Sequence, residues 1–350
     1  MFKRKNPIGL DIGSAYIKAV QLNDTKTGYE LVLFDMIPIQ QGVIIDGMVE
    51  DKPALIASIK ELLKKINVKK SDAVIGVSGH SSVVIKRITI PLMTEEELGA
   101  SMKYEAEQYV PFDINDVEID FQILGPRAEE DGQMDVVLVA VKKSVIKDYN
   151  DVVSQAGLEP IIMDVDSFAL SNMYEVNYGI EERKNIALVN IGASTTNINI
   201  LQNGVPVFTR DSAIGSSHHT DALEKEFGIH REDAEQLKLG HSIEGISYGD
   251  VQLVINSASE EIYSELHMSF EYFKSSVAEE DIDKIILSGG ASLIKGFSEA
   301  MADRLGIEVE VVNPFKNIKI SEKLDVSYIR EIAPIAAVAV GFGIRRAGDR

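Results

Sequence analysis

The residues best equipped for chemistry sit on two glycine turns that lie far apart in the chain. LDIGSAYIK, residues 10–18, brings Asp11, Gly13, Ser14 and Lys18 together; LVNIGASTT, residues 188–196, brings Asn190, Gly192, Ala193, Ser194 and Thr195. Each reads as an apolar strand that ends in a polar residue, a tight turn on glycine, and a second strand rich in hydroxyls. Glycine lets the main chain approach a ligand closely, and a turn that gathers N–H groups beside hydroxyls suits phosphate oxygens. Two such turns imply a duplicated clamp. A third turn, SGGASLIKGF at residues 288–297, places Gly289, Gly290 and Ala291 where a strand is expected to open into a helix, whose first N–H groups and dipole attract polar or anionic groups. Glu235 and Lys238, three apart, share one helix face.

Several other chemistries are excluded. The chain has no cysteine, so it has no thiolate nucleophile, disulfide or zinc–thiolate site. His218 and His219 are adjacent, which on a helix turns them about 100° apart, a poor arrangement for sharing a metal. No Ser, His and Asp grouping carries a nucleophile elbow. A net charge of -20 argues against nucleic acid, because backbone binding needs clustered Lys and Arg. The basic cluster Lys3, Arg4 and Lys5 is not followed by the apolar segment of a secretory leader, so a cytoplasmic protein is expected. The longest nearly continuous apolar run, residues 333–344, is far short of the ~20 residues a membrane span requires. It reads as a small-residue helix under the clamp, and any membrane role is expected to come through a partner.

The elements that must hold these turns alternate in an α/β pattern. At 350 residues and 45% apolar content the chain is long enough for about two cores. Residues 8–11, 16–22 and 31–38 alternate like antiparallel strands, a helix follows with Pro53 in its first turn and Leu55, Ile59, Leu62, Leu63 and Ile66 at helical spacing, and residues 73–78 read as a buried strand. A separate module is expected to start near Gly79: a strand at 82–90, a helix from Thr94 to near Val110, and strands at 117–124 and 134–141 around a polar loop. Thr94 and Glu97 form a capping-box pattern. Residues 94–135 carry 13 acidic side chains against Lys103 and Arg127 alone, a solvated face or a docking surface. Strands at 186–190, 196–202 and 206–212, a mostly helical stretch at 216–278 and a strand at 284–287 then repeat the first half in outline.

The order of these features resembles the actin-like ATPase superfamily, which includes actin, FtsA, MreB, sugar kinases and the heat-shock chaperone ATPases. DIGS with Lys18 comes first, then a crossover helix near Asp166, NIGAST, the helix with Glu235 and Lys238, SGGAS, and finally PIAAVAVGFGIR. The resemblance covers nearly the whole chain. It implies an α/β fold of two lobes of mixed sheets around a nucleotide cleft, with ATP and Mg2+ as cofactors. Asp11, Gly13 and Ser14 match the first phosphate loop, whose aspartate organises hydrated magnesium, and Lys18 matches a phosphate-facing lysine. Gly192, Ala193, Ser194 and Thr195 match the second phosphate loop. Gly289, Gly290 and Ala291 match the adenosine motif, Glu235 and Lys238 fall where relatives contact ribose and base, and Gly215 is grouped with these nucleotide-facing residues. The second loop usually opens with aspartate, but here that position is Asn190, an uncharged and weaker magnesium contact acting largely through water. Asp166 is the candidate general base. Binding of ATP is therefore expected, with at most slow hydrolysis.

The module inserted after the first lobe's VSG strand resembles the FtsA-type (SHS2) subdomain. GVIIDGMVED at 42–51, KRITIP at 86–91, EAEQYVPFDINDVEIDFQILG at 105–125 and AGLEPIIMDVDSFAL at 156–170 resemble the PilM family of type IV pilus assembly proteins, as does APIAAVAVGFGIR at 333–345. The alternative is an FtsA-like division protein or a slow filament-forming ATPase; FtsA ends in an amphipathic membrane helix, whereas this sequence stops at Arg350. The PilM resemblance implies a cytoplasmic adaptor recruited to the inner membrane by the cytoplasmic tail of PilN. That tail would lie in a groove involving Val83, Val84, Ile85, Tyr109, Val110 and Phe112. Other pilus platform proteins, motor ATPases and homo-oligomers are further partners compatible with it. The division expected is a first lobe of 1–78, 147–184 and 318–350, an inserted subdomain of 79–146, and a second lobe of 185–317 whose helical part spans about 216–283.

Overall fold

A computed structural model describes residues 6–79, 81–127, 132–278 and 280–349; the Lys3, Arg4 and Lys5 cluster and part of the 125–132 loop lie outside them. The chain opens with a meander of β1 (Ile8–Ile12), β2 (Tyr16–Thr25) and β3 (Gly28–Pro38). A hairpin of β4 (Ile44–Ile45) and β5 (Met48–Val49) leads to α1 (Lys52–Lys65) and β6 (Asp72–Val77), which runs parallel to β1. Asp51 caps α1 by accepting a hydrogen bond from the Ala54 N–H at 2.9 Å, and Leu55, Ile59, Leu62 and Leu63 are buried at the spacing read from the sequence.

The chain then leaves this sheet. β7 (Val83–Pro91), α2 (Glu95–Glu107), β8 (Val117–Pro126) and β9 (Gln133–Lys142) form a three-stranded sheet in the order β7-β9-β8 with α2 packed on one face. Its core is its own: Ile88, Ile90, Leu98, Met102, Val136 and Leu138. The capping box is present, since Glu97 accepts from the Thr94 N–H at 2.8 Å while the Thr94 hydroxyl accepts from the Glu97 N–H. The helix stops at Glu107 rather than near Val110; one further turn, with the Val110 N–H on the Ala106 carbonyl, tucks Val110 into the module's core.

Next come α3 (Lys143–Ala156), β10 (Glu159–Val165) parallel to β6, and α4 (Asp166–Tyr178). A second meander follows: β11 (Asn185–Ile191), β12 (Thr196–Gln202) and β13 (Val205–Ser212). After α5 (Ser217–Phe227), α6 (Arg231–Lys238) and α7 (Tyr248–Phe273) the chain returns as β14 (Lys284–Ser288), α8 (Phe297–Leu305) and β15 (Glu308–Val311). It closes with β16 (Ile318–Ile320), α9 (Val326–Glu331) and α10 (Ala337–Ile344). The two large sheets run β10-β6-β1-β2-β3-β16 and β13-β12-β11-β14-β15. Apart from β16 at one edge, both place a three-strand meander beside two parallel strands in the same order, so the outline repetition of the sequence is a repetition of topology.

Helices α4 and α10 lie between the sheets and join them. Ala169, Leu170 and Met173 of α4 and Val338, Val340 and Phe342 of α10 share one core with Val20 and Leu22 of the first sheet and Ile186, Leu188 and Ile286 of the second. Each buried Val, Leu, Ile, Met or Phe among these contributes about 1.5–3 kcal/mol relative to exposure. The small residues of α10 have a packing cause: Gly341 sits against the Ala169 backbone, and Gly9 of β1 sits against the backbone of Gly343 and Ala339, with no space for a Cβ at either. A second element, besides the end of α2, differs from expectation. The SGGAS turn opens only a 3-10 turn, Gly290–Leu293; Ile294 is extended, Gly296 is left-handed at φ 81°, and α8 begins afterwards.

Candidate functional site

The two glycine turns adopt the same local geometry and meet. In the first, the Gly13 N–H donates to the Tyr16 carbonyl at 3.1 Å; in the second, the Gly192 N–H donates to the Thr195 carbonyl at 2.8 Å. The Ser194 hydroxyl reaches the Ser14 hydroxyl at 2.7 Å, across 180 residues of sequence. Asp11 and Lys18 face each other in the β1–β2 register, and the Lys18 ammonium lies 2.5 Å from the Asp11 carboxylate, both largely buried. A phosphate entering between the turns would therefore meet a lysine already placed, with Asp11 holding it.

Gly215 is essential to the second turn in a way its sequence context did not reveal. The Ser216 and Ser217 N–H groups donate to the Gly192 and Ala193 carbonyls, each at 2.8 Å, and a Cβ on Gly215 would stand 2.5 Å from the Ala193 oxygen and 2.7 Å from that of Gly192. Gly289, at φ 87°, leaves its turn touching the Ile191 backbone, and its N–H donates to the Pro334 carbonyl at 3.1 Å; Ala291 is fully buried. All three turns thus converge at the ends of β1, β11 and β14.

On the far side of the cleft, Lys238 is almost fully buried and lies 2.8 Å from a Glu235 oxygen. The Thr220 hydroxyl donates to Glu235 at 2.6 Å and accepts from Lys238 at 2.8 Å, fixing both. Burial lowers the pKa of Lys238, against the pull of Glu235. Tyr16, just past the first turn, has its pKa raised by burial and by the charge of Glu235, so the two lobes face each other here. His219 is buried against Phe297 and bonded to Ser259 at 2.9 Å; burial brings its pKa down to about 4, which keeps the imidazole neutral in the core.

Asp166 begins α4 at the floor of the cleft. Burial pushes its pKa up to about 7, the Asp11 charge adds to this, and a hydrogen bond from Ser78 opposes it. A carboxyl balanced near neutrality suits proton transfer. Asn190, expected as a magnesium contact through water, is braced along the sheet: its oxygen accepts from Ser288 at 3.1 Å and its amide donates to Asn197 at 3.0 Å. The oxygen keeps a second lone pair for a water, but the amide brings no charge. Asp11 keeps one oxygen beyond the Lys18 contact and fits the water-mediated role. Among the described residues no group of three or more His, Asp or Glu could hold a metal ion directly.

The expected partner residues divide between two surfaces. Val83 and Ile85 pack toward the core of the first lobe, whereas Val84 and Val110 pack within the inserted module. Tyr109 and Phe112 are half-buried against that module, with the Lys142 ammonium 4.5 Å from the Phe112 ring centre. An open cleft of about 490 Å³ also lies between edge strand β8 and helix α3, lined by Glu118, Lys143, Ile146, Lys147, Asn150 and Asp151.

Residues 9–347 match the family described as type IV pilus assembly protein PilM. The chain belongs to the PilM family. A solved structure titled PilM-PilN type IV pilus biogenesis complex is 27% identical and covers 99% of this chain and 100% of its own, with a TM-score of 0.87. The FtsA-like alternative is thereby set aside. Two more distant structures share the fold alone. The ethanolamine utilization protein EutJ from Carboxydothermus hydrogenoformans is 18% identical, with 98% of this chain and 90% of that one covered and a TM-score of 0.59. MreB5 of Spiroplasma citri bound to AMPPNP is 13% identical, with 97% and 95% covered and a TM-score of 0.54. The fold of this PilM-family chain is accordingly the α/β actin-like ATPase fold. No helix among its described residues is long and apolar enough to cross a membrane.

Proposed function

We propose that this PilM-family chain is a cytoplasmic, ATP-binding adaptor that grips the cytoplasmic tail of PilN at the inner membrane and couples nucleotide state to pilus assembly. The contact of the Ser14 and Ser194 hydroxyls at 2.7 Å carries the nucleotide part, because it joins the two phosphate-type turns into one clamp. MreB5, of the same fold, is bound to AMPPNP, and the relative at 27% identity is in complex with PilN; both observations support the reading. The expected division into a first lobe, an inserted subdomain at 79–146 and a second lobe belongs to the same proposal, with the β8–α3 cleft as the seat of the tail.

Glu235, Lys238, Gly289, Gly290 and Ala291 would hold the adenosine, and Gly13, Ser14, Lys18, Gly192, Ala193, Ser194 and Thr195 the phosphates. Mg2+ would arrive on those phosphates, with Asp11 holding its water shell and Asp166 accepting a proton from an attacking water. Hydrolysis is slow in this reading, since the engaged Asn190 amide brings no charge to the metal. Two measurements test it. Calorimetry with ATP and with a synthetic PilN-tail peptide should each show saturable binding. Sustained phosphate release near the ~10 per second typical of enzymes would defeat the adaptor in favour of an enzyme.

A further inference from the structure

A row of polar side chains crosses the second sheet one strand at a time, in register: Ser288 on β14, Asn190 on β11, Asn197 on β12 and Asp211 on β13. Ser288 donates to Asn190 at 3.1 Å, Asn190 to Asn197 at 3.0 Å, and Asn197 to one Asp211 oxygen at 2.8 Å. Asn197 and Ser288 are almost completely buried, where apolar side chains would ordinarily pack. The row spans three strand spacings, about 14 Å. Its inner end adjoins both ligand-facing turns of this lobe, since Ser288 precedes Gly289 and Asn190 lies two residues before Gly192.

The outer end leaves the lobe altogether. The second Asp211 oxygen accepts a hydrogen bond from the Gly79 N–H at 2.9 Å, and Gly79 is where the chain leaves β6 for the inserted module. That junction is held on every side. The β4–β5 turn, with Asp46 at φ 48° and Gly47 at φ 72°, is seated on it so closely that neither Gly47 nor Gly79 has room for a Cβ. Ser81 bonds Asp46, the Tyr149 hydroxyl of α3 donates to the Gly47 carbonyl at 3.1 Å, and the neighbouring Ser78 bonds Asp166 in the cleft. One peptide, Ser78–Gly79, thus meets the floor of the cleft, the far lobe and the root of the module.

We infer that the Ser288–Asn190–Asn197–Asp211 row and the Gly79 N–H form a latch through which occupancy of the cleft sets the position of the inserted module. The inference rests on the nucleotide reading given above. Its physical basis is that a sheet row moves as one body: a rotation of the second lobe that closes the turns on phosphate moves Asp211 with it, and the bonded Gly79 must follow or let go. Asp211 is a positioning residue here: it acts through Gly79 and the sheet row, and its charge also reaches Asp166 at the floor of the cleft.

The absence of native cysteine allows a direct test. Spin labels placed by Glu107→Cys on the module and Glu226→Cys on the second lobe report their separation by pulsed dipolar spectroscopy, without and with saturating MgATP. Calorimetry on the same samples confirms that ATP is bound, and circular dichroism that they are folded. Asp211→Asn keeps the size but sets an NH2 against a donor, either the Gly79 N–H or the Asn197 amide, and Asp211→Ala removes the acceptors of both. The expected result is an ATP-dependent shift in distance with Asp211 that is lost in both variants, or in Asp211→Asn alone should the alanine variant unfold. A shift that persists in Asp211→Asn overturns the latch, as does bound ATP that produces no shift with Asp211 intact. If ATP does not bind the unsubstituted chain, the nucleotide reading fails and the latch with it, an outcome distinct from the other two.

Discussion

Replacing Gly215 by alanine isolates the bracing of the second turn from its chemistry, because the new methyl group touches only the turn's underside. The added Cβ would lie 2.5 Å from the Ala193 oxygen, while ordinary contact begins near 3.4 Å, so the turn must retreat by about 0.9 Å. Two hydrogen bonds of 2.8 Å, from Ser216 to Gly192 and from Ser217 to Ala193, would then stretch beyond useful length. At about 1 kcal/mol each, their loss costs about 2 kcal/mol, within the range measured for overpacking. ATP affinity falls for a separate reason, because the displaced turn no longer meets the phosphate: about tenfold for each phosphate hydrogen bond of about 1.4 kcal/mol that is lost. Titration calorimetry with MgATP measures the change, and urea unfolding the stability. Gly99→Ala on α2, where the nearest atom to a new Cβ is 3.9 Å away, is the control and should leave affinity unaltered. ATP affinity within twofold of the parent in Gly215→Ala would refute the view that this glycine sets the turn.

Three further outcomes follow from the site. Asp166 has a folded-state pKa of about 7 against about 3.9 unfolded, so the folded chain binds the extra proton between those values and its stability falls as pH rises through that window, then levels. Asp166→Asn should flatten this part of the urea midpoint against pH, and parallel curves for the two proteins would contradict the assignment. Asn190→Asp should restore charge to the cleft but replace the amide that donates to Asn197 by a repelling oxygen, lowering stability by about 1–3 kcal/mol in urea while raising phosphate release; unchanged stability would show the amide to be dispensable. Lys147→Glu in the β8–α3 cleft should abolish binding of the PilN-tail peptide in calorimetry and spare ATP affinity, and undiminished peptide binding would move the seat of the tail elsewhere.

The three glycine turns were legible in the sequence because their causes are local: a glycine, a hydroxyl and the end of an apolar strand lie within a few residues of one another. Capping at Asp51 and Thr94 and the buried face of α1 were legible for the same reason. The reach of the α2 helix and of the SGGAS turn was overestimated, since left-handed Gly296 and the buried seat of Val110 are decided by what packs around them.

Only the tertiary structure decided how these pieces combine. That Ser14 meets Ser194, that Ser288 bonds Asn190, and that Asp211 bonds Gly79 all depend on strands and lobes separated by 98 to 180 residues coming into register. The partner residues show the same limit most plainly. Alternation along β7 tells that Val83 and Ile85 face away from Val84, but only the packing of the module decides which face meets the first lobe. Sequence thus determined the local chemistry of each turn, through backbone freedom and side-chain type, while the packing of α4 and α10 between two sheets determined which of those chemistries face one another.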